Sequence, residues 1–333
     1  QGFFICALLL MQIKLFCTTG ERQNSTALLC VLCFVLGLGL CNHLSTILII
    51  PALFYLTIVR RSILKLTAKK FIMPAVFFIL GLVPYLYLPL RASWSPPLNW
   101  GNPQTWEGFL WHITGRQYRV WMFSSGEVML RQLKYFFGLA GESFGYVPVL
   151  LLPFGLWYLY HHHRQVLWFS VIYFLTGLFY AVNYDINDID PYFLPALVMC
   201  CLWMAGGIMF FAVRCSNHRK KVYRLFPCAL CLVPCAPLIL NYHAVDQSKN
   251  HLVEQYTGNI LKTLSSSALV LSYQWDYFCS PLYYLQAVDG QRPDVTMIEV
   301  KLLKRSWYLT QLEKNYPALM QMSAPEVAAY SRE

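Results

Sequence analysis

Apolar residues in this chain occur in long blocks and do not alternate with polar residues as in soluble domains. A helix needs about 20 apolar residues to cross a bilayer, and somewhat fewer when flanking side chains reach the interface. The blocks therefore predict membrane-spanning helices at residues 1–17, 71–90, 143–160, 165–183, 192–213 and 225–241.

The apolar stretch 26–59 is too long for a single span at about 1.5 Å per residue. It contains Gly37 and Pro51, and the polar pair Asn42 and His43 lies near its middle. We therefore predict two helices that meet near Asn42 and His43, which makes about eight spans. The predicted fold class is an α-helical polytopic membrane protein.

Beyond residue 241 the composition changes to the mixed pattern of a water-soluble domain. Residues 268–272 and 294–300 are typical of buried strands, whereas residues 283–288 and 307–315 suit helices. This pattern predicts the start of a small α/β domain at 242–333, truncated at Glu333. The remainder, 1–241, is predicted to be the membrane domain.

Composition agrees with a bilayer as the solvent, because 57% of the 333 residues are hydrophobic and 13% are charged. The net charge of +10 argues little for nucleic acid, since the Lys and Arg residues lie mainly in short connectors. Connectors within 60–70, 161–164 and 214–224 fall on one side, which the positive-inside rule makes cytoplasmic. The segments predicted to face the lumen are 42–43, 91–142, 184–191 and 242–333.

Twelve cysteines would indicate disulfides in a small secreted protein, but eleven of them lie in or beside apolar segments. The spacing of Cys228, Cys231 and Cys235 is compatible with zinc, although no His lies in that segment. We interpret these cysteines as small membrane-embedded side chains and predict neither a metal site nor a firm cofactor.

The predicted luminal loop 91–142 opens with Arg91 and continues through Asn99 and Trp100. Farther along, Arg116, Gln117 and Tyr118 supply more hydrogen-bond donors, and Arg119 is an adjacent cation. An Arg fork matches two phosphate oxygens, so Arg91 and Arg116 are candidates for a phosphodiester site. The alternative is that the aromatic residues anchor the loop at the interface while Arg91 only extends towards water.

A short loop between two spans carries three carboxylates, Asp185, Asp188 and Asp190. One interpretation is a solvated turn that caps a helix, because Asp and Asn favour such positions. The other is a functional carboxylate that takes a hydroxyl proton or binds a metal and phosphate. The pair Asn42 and His43 also has two interpretations. It either forms a hydrogen-bonded bend between two helices or lies at the rim of a site.

Three stretches in order resemble a known family: Gly37-Leu-Gly-Leu-Cys-Asn-His-Leu-Ser-Thr46, then Leu98-Asn-Trp-Gly-Asn-Pro103 with Gly115-Arg-Gln-Tyr118, then Tyr283-Tyr-Leu-Gln-Ala-Val-Asp-Gly-Gln-Arg-Pro-Asp-Val295. They are similar to GT-C-type membrane proteins of the transmembrane protein 260 family. The members are protein O-mannosyltransferases of the endoplasmic reticulum that act on IPT domains of plexin-type receptors.

The resemblance implies a lipid-linked donor, dolichyl-phosphate mannose, and inverting transfer to a Ser or Thr hydroxyl in the lumen. It also implies a catalytic carboxylate in an Asp-Ser-Gly-Glu-like motif, which is absent from this sequence and is expected upstream of Gln1. From their position in the predicted luminal loop, and not from a residue-by-residue match to the family, Arg91 and Arg116 are assigned to the donor phosphate. The supporting carboxylates are Asp185, Asp188 and Asp190, and the rim residues are Asn42, His43, Asn99, Trp100, Gln117 and Tyr118.

Two other classes of protein remain open from the sequence. A lipid or solute transporter would place polar residues along a path near the bilayer midplane, usually in two corresponding halves, and the sequence shows no internal repeat. A non-catalytic membrane scaffold would need no clustered Arg and carboxylate groups. No Walker loop, nucleophile elbow or Rossmann glycine pattern supports a soluble enzyme.

Overall fold

The computed structural model describes residues 1–17, 24–59, 68–216, 232 and 235–332. It divides the chain into two units. The helical unit comprises Gln1–Leu86 and Ile113–Val245, and the α/β unit comprises Tyr87–His112 and Asp246–Glu333. Residues 87–112 thus group with the C-terminal residues. The division of the sequence at residue 241 into a membrane domain and a luminal domain stays a prediction.

The helical unit consists mainly of apolar helices of different lengths. Their bounds are α1 Gly2–Cys17, α2 Asn24–Asn42, α3 Ile50–Val59, α4 Ala68–Gly81, α7 Gly126–Phe144, α8 Leu152–His162, α9 Arg164–Val182, α10 Asp190–Ser216 and α11 Cys235–Val245. Helices α5 Tyr87–Ser93 and α6 Trp106–Ile113 lie between α4 and α7 in the chain.

Within the described residues, three helices are long and apolar enough to cross a membrane, namely Phe71–Ser93, Arg164–Val182 and Asp190–Cys215. A fourth is possible if Gly126–Phe144 and Val147–His162, bent by 101°, form one broken span. The chain is therefore a helical membrane protein, but eight spans are not confirmed. The apolar helices Gly2–Lys14, Thr26–Asn42 and Leu44–Val59 are shorter than a full span.

Several predicted features fall outside the described residues. They include the cations of connector 60–67, those of 219–224, Cys228 and Cys231, and most of the predicted span 225–241. Of that span, the structure describes residue 232 and the start of α11 from Cys235. The cytoplasmic side of these connectors and the luminal side of the α/β unit stay predictions.

The predicted break near Asn42 and His43 is confirmed. Helix α2 ends at Asn42, and a 3₁₀ helix, Leu44–Ile49, begins after His43, whose ring nitrogen accepts a hydrogen bond from the Ser45 backbone. Thr46 adds a side-chain bond to Gly39 O at 2.9 Å. These bonds satisfy backbone groups that the end of a helix would otherwise leave unpaired.

Close helix packing in this unit depends on glycine. A Cβ atom on Gly37 of α2 would lie 2.5 Å from Phe78 O of α4, and Gly81 has the reciprocal contact with Phe34 O. In a bilayer, small residues allow backbones to approach and so replace the hydrophobic driving force that water provides. The core beside this contact is apolar, and Trp203 Nε1 donates to Ser170 Oγ at 2.8 Å within it.

Helix α7 lies mostly inside the predicted luminal loop 91–142, where the sequence interpretation placed no regular element, and its last two residues fall in the predicted span 143–160. Its buried residues follow a helical period and include the apolar Val128 and Phe136 and, between them, the polar Gln132. Ser125 caps its first turn by accepting from Val128 N, and Gly145 ends it in a left-handed conformation at φ 72°. Charges on its exposed side explain why a search for uncharged blocks misses it.

The described part of the α/β unit contains a parallel pair of strands, β1 Leu269–Ser272 and β2 Thr296–Glu299, in the register Leu269↔Thr296 to Ser272↔Glu299. Around them lie α12 Leu252–Thr263, α13 Ser280–Ala287, α14 Ser306–Asn315, α15 Pro317–Met322 and α16 Ala324–Arg332. Both strands and the helices α13 and α14 occur where the sequence predicts them. Phe278 and Leu282 are buried in one core cluster with Met297 of β2.

Candidate functional site

Two predicted clusters of the helical unit meet through a short backbone bridge. Met122 pairs with Tyr184 in an isolated antiparallel bridge. Phe123 N donates to Asn183 O at 2.8 Å, and Asp185 N donates to Trp121 O at 2.9 Å. The bridge joins the segment that follows Arg116–Tyr118 to the carboxylate loop 183–190, although more than 60 residues separate them in the chain.

The segment that holds Arg116 is a 3₁₀ helix, Arg116–Trp121. Gly115 precedes it at φ 58°, a left-handed conformation that glycine adopts without strain. Arg116, Tyr118 and Arg119 are exposed, and Gln117 is half-buried. The segment therefore presents two guanidinium groups and a phenol at the surface beside the carboxylate loop.

The three carboxylates of the loop have different surroundings. Asp185 pairs with Arg131 of α7 at 2.5 Å, and Asp190 accepts from Tyr135 of α7 at 2.6 Å. These two therefore attach the loop to α7. Asp188 is exposed and accepts no hydrogen bond from any other residue in the described ranges. It is the carboxylate of the three that is best placed to meet a ligand.

An aromatic cluster that the sequence interpretation missed lies behind the loop. Tyr184 and Tyr192 meet edge to face with ring centroids 5.0 Å apart, and Tyr180 is 5.9 Å from Tyr184. Tyr192 also lies 5.4 Å from the ring of His43. We call Tyr180, Tyr184, Tyr192 and His43 the aromatic wall. Its signal in the sequence was the pair of tyrosines that bracket the three carboxylates.

Burial and the neighbouring Tyr192 raise the pKa of Tyr184 above its ordinary value. The phenol therefore keeps its proton at neutral pH and can donate a hydrogen bond. The backbone of Tyr184 is also held, since the buried Gln132 donates its Nε2 to Tyr184 O at 3.3 Å. The wall is a neutral aromatic surface with hydroxyl groups, fixed in place by α7.

One ring nitrogen of His43 is used in hydrogen bonds that stabilise the bend after α2. Its Nδ1 lies 2.8 Å from Ser45 Oγ and accepts from Ser45 N, so the ring caps the 3₁₀ helix that follows. The same ring contacts Tyr192. Asn42 is exposed at the end of α2. The two interpretations of this pair are thus compatible: the bend is hydrogen bonded, and His43 also belongs to the aromatic wall.

Asn99 and Trp100, predicted as rim residues, belong to the α/β unit. Gln311 of α14 accepts from Asn99 N at 2.8 Å and donates to Pro97 O at 2.6 Å. The Trp100 ring lies 5.2 Å from both Trp275 and Trp307. We call Trp100, Trp275 and Trp307 the tryptophan cluster. The sequence around Asn99 and Trp100 does not predict the contacts with Gln311, Trp275 or Trp307, because these partners are far away in the chain.

The two predicted phosphate ligands fall in different units. Arg91, half-buried in the last turn of α5, lies 5.4 Å from the Trp94 ring in the α/β unit, and Trp94 is 64% exposed. Arg116 lies in the helical unit. The contact with Trp94 is also typical of an interfacial anchor. Among the described residues, no three His, Cys, Asp or Glu side chains are grouped to hold a metal ion.

Comparison with known proteins agrees with the resemblance in the sequence. Residues 1–66 match the family described as Protein O-mannosyl-transferase TMEM260 N-terminal domain, and residues 253–324 match TMEM260-associated domain 2. The mouse (Mus musculus) Protein O-mannosyl-transferase TMEM260 is 23% identical over 348 residues, covering 96% of this chain. These matches support a TMEM260-like family for the chain. No solved structure matches it.

This chain spans about half the length of its mouse TMEM260 relative, 48% of that protein. The range matched by the TMEM260 N-terminal domain includes Asn42 and His43, and the second matched range includes Trp275, Trp307 and Gln311. The carboxylate loop and Arg116 lie between these two ranges. Their roles are therefore argued from the geometry of the TMEM260-like chain.

Proposed function

We propose that the protein containing this chain is a membrane O-mannosyltransferase of the endoplasmic reticulum. In this proposal it transfers mannose from dolichyl-phosphate mannose to Ser or Thr hydroxyls of IPT domains in plexin-type receptors. Support comes from the name of the mouse relative and from the apolar helices, which suit a polyprenyl donor. The observation that carries the proposal is the Met122–Tyr184 bridge, which joins the segment after Arg116 to the carboxylate loop that Tyr184 and Tyr192 bracket.

The reaction requires charge stabilisation on the donor side. As the acceptor hydroxyl attacks the anomeric carbon, the bond from that carbon to the phosphate oxygen breaks, and the phosphate keeps the electron pair. A guanidinium group stabilises this developing charge through two parallel hydrogen bonds. Arg116 is assigned to this role, with Arg119 adjacent and exposed. Arg91 lies in the α/β unit, and its assignment to the phosphate stays a prediction from the sequence.

On the acceptor side, the hydroxyl must lose a proton to a carboxylate. We assign Asp188 to the support of the acceptor, because it is exposed and makes no hydrogen bond within the described ranges. Asp185 and Asp190 support the site by holding the loop against α7. The aromatic wall offers ring faces and neutral hydroxyl groups, which suit a sugar that is apolar on its faces and polar at its edge.

The test is mannose transfer in membranes that contain the complete gene product to which this chain belongs. The donor is radiolabelled dolichyl-phosphate mannose and the acceptor is a purified IPT domain. We expect transfer that Arg116→Gln weakens through a lower kcat/KM for the donor. Lys134→Gln on the exposed side of α7 removes the same charge from the same unit and is the matched control. A folded protein that transfers no mannose would overturn the proposal, and labelling from GDP-mannose without the lipid would overturn the donor.

A further inference from the structure

A cavity of about 470 Å³ lies in the helical unit where α8 ends and α9 begins. The basic stretch His161–Arg164 lines it, together with Gln12 of α1. Helix α9 is 19 residues long, about 28 Å at 1.5 Å per residue, and the carboxylate loop follows its other end. The cavity is therefore separate from the candidate site described above.

Its polar end is built to receive an anion. The first turn of α9 contributes Arg164 and Val166 to the lining, and His163 supplies no side-chain cap to this turn. Backbone N–H groups at a helix start favour negative charge. Arg164 Nε donates to Tyr160 O at 3.1 Å, and the guanidinium carbon lies 4.7 Å from the centre of the Tyr160 ring. Its two terminal nitrogens donate to no other residue within the described ranges, so their N–H groups can reach a ligand. His161 and His162 donate from Nδ1 to carbonyl oxygens of their own helix.

A second, independent feature points to a ligand. Gln12 is 5% exposed, lines the cavity, and makes no hydrogen bond to another residue within the described ranges. A side-chain amide that lines a cavity without a protein partner can donate a hydrogen bond to a ligand. A phosphate or carboxylate oxygen in the cavity would accept from the Nε2 of Gln12.

The other half of the cavity is apolar. Leu9, Ile13, Leu56, Phe169 and Leu202 line it, and they come from α1, α3, α9 and α10. A free phosphate ion makes no favourable contact with an apolar surface. An acyl chain that lies along these side chains is removed from water, which is favourable. Cations at one end and aliphatic side chains at the other form a lining that matches an amphiphile of negative charge.

We propose that this cavity binds an anionic phospholipid. The headgroup lies at Arg164 and the start of α9, with Gln12 as a further donor, and an acyl chain runs along Ile13 and Phe169. Basic pockets between membrane helices near the cytoplasmic face are a known form of recognition of acidic headgroups. The site is on the opposite end of α9 from the proposed chemistry, so the lipid would be a structural or regulatory ligand and not the sugar donor.

The test is a titration of the purified full-length protein with three probes, each followed by the shift in thermal unfolding. The probes are dioctanoyl phosphatidylserine, dioctanoyl phosphatidylcholine and inorganic phosphate. We expect phosphatidylserine to bind most tightly, and Arg164→Gln or Gln12→Leu to weaken its binding about tenfold. Arg214→Gln, on a cation that contacts the Phe210 ring and does not line the cavity, should leave binding unchanged.

A further variant tests the apolar half without touching a charge. Ile13 is 40% exposed, so Ile13→Trp should narrow the cavity at little cost to folding and weaken phosphatidylserine binding. Equal binding of phosphatidylcholine would overturn the proposal. So would inorganic phosphate that binds as tightly as the lipid, or an unchanged affinity in Arg164→Gln and Ile13→Trp proteins that unfold at the parental temperature.

Discussion

Met122 and Tyr184 pair through their backbones and thereby fix the carboxylate loop beside the segment that begins at Arg116. The pairing uses only backbone groups. A search of the sequence for side-chain motifs therefore does not find it. The pairing brings the loop that contains the exposed Asp188 beside the segment that contains Arg116 and Arg119, and Tyr184 and Tyr192 of the aromatic wall bracket this loop. The predictions below follow from this arrangement and from the contacts of the α/β unit.

Asp188 and Asp185 should differ in their effect on transfer. Asp188→Asn should lower kcat for mannose transfer about tenfold or more, since Asp188 is assigned to position the acceptor for attack. Asp185→Asn removes an exposed ion pair with Arg131, which is worth about 0–1 kcal/mol, so its effect should be several times smaller. Steady-state kinetics with the IPT acceptor checks both. Equal losses would show that the loop acts only through its structure.

Gln311 should hold the segment around Asn99 in the α/β unit. Gln311→Leu removes the acceptor for Asn99 N and the donor to Pro97 O, at a cost of about 1–3 kcal/mol. We expect faster proteolysis near residue 99 and a red shift in emission from the tryptophan cluster. Thr310→Ala, which removes an exposed hydroxyl bonded within α14, is the control and should change neither. The same faster proteolysis and red shift in Thr310→Ala, or neither change in Gln311→Leu, would refute this role.

The tryptophan cluster should loosen in mild acid through His112. Burial lowers the pKa of His112 below 6.5, and a hydrogen bond to the Trp100 backbone opposes that shift. Because the folded state prefers the neutral ring, the stabilisation is complete above pH 6.5 and is lost as pH falls through that value towards the lowered one. Fluorescence-detected unfolding from pH 7.5 to 5 should show this loss. His112→Gln should give a flatter profile, and an identical slope in both proteins would contradict the assignment.

Gly155 and Gly138 provide a matched pair for helix packing. A Cβ atom on Gly155 of α8 would overlap Trp203 O of α10, so Gly155→Ala should destabilise the helical unit by about 1–3 kcal/mol. Gly138 of α7 has open space around its Cβ position, and Gly138→Ala should stabilise by about 0.5–1 kcal/mol. Thermal unfolding in detergent measures both. A tolerated Gly155→Ala would mean that α8 and α10 are not packed this closely.

Much of the fold follows from local sequence pattern. The polar pair Asn42 and His43 inside an apolar stretch marks the end of α2, because an unsatisfied polar group is costly there. The runs at 268–272 and 294–300 contain β1 and β2, since short β-branched and apolar runs bounded by turns are typical of strands. Uninterrupted apolar blocks likewise locate α9 and α10.

Features that depend on distant partners could not be predicted in this way. Helix α7 carries charges on one side, so it resembles a loop when only uncharged blocks are sought. The contact of Gln311 with Asn99 crosses 212 positions, and no local pattern encodes it. The candidate site was predicted as separate clusters, whereas the bridge at Tyr184 and the stacking of Tyr180 with Tyr192 are products of tertiary packing.

The most direct measurement is a double-mutant cycle on kcat/KM for mannose transfer, with Arg116→Gln, Asp188→Asn and their combination. If the bridge unites both residues in one site, each single change should reduce the rate and the combined loss should be clearly smaller than the product of the two. Independent losses that multiply, or single variants as active as Lys134→Gln, would contradict a shared site. Absence of transfer in the well-folded parental protein would contradict the function itself.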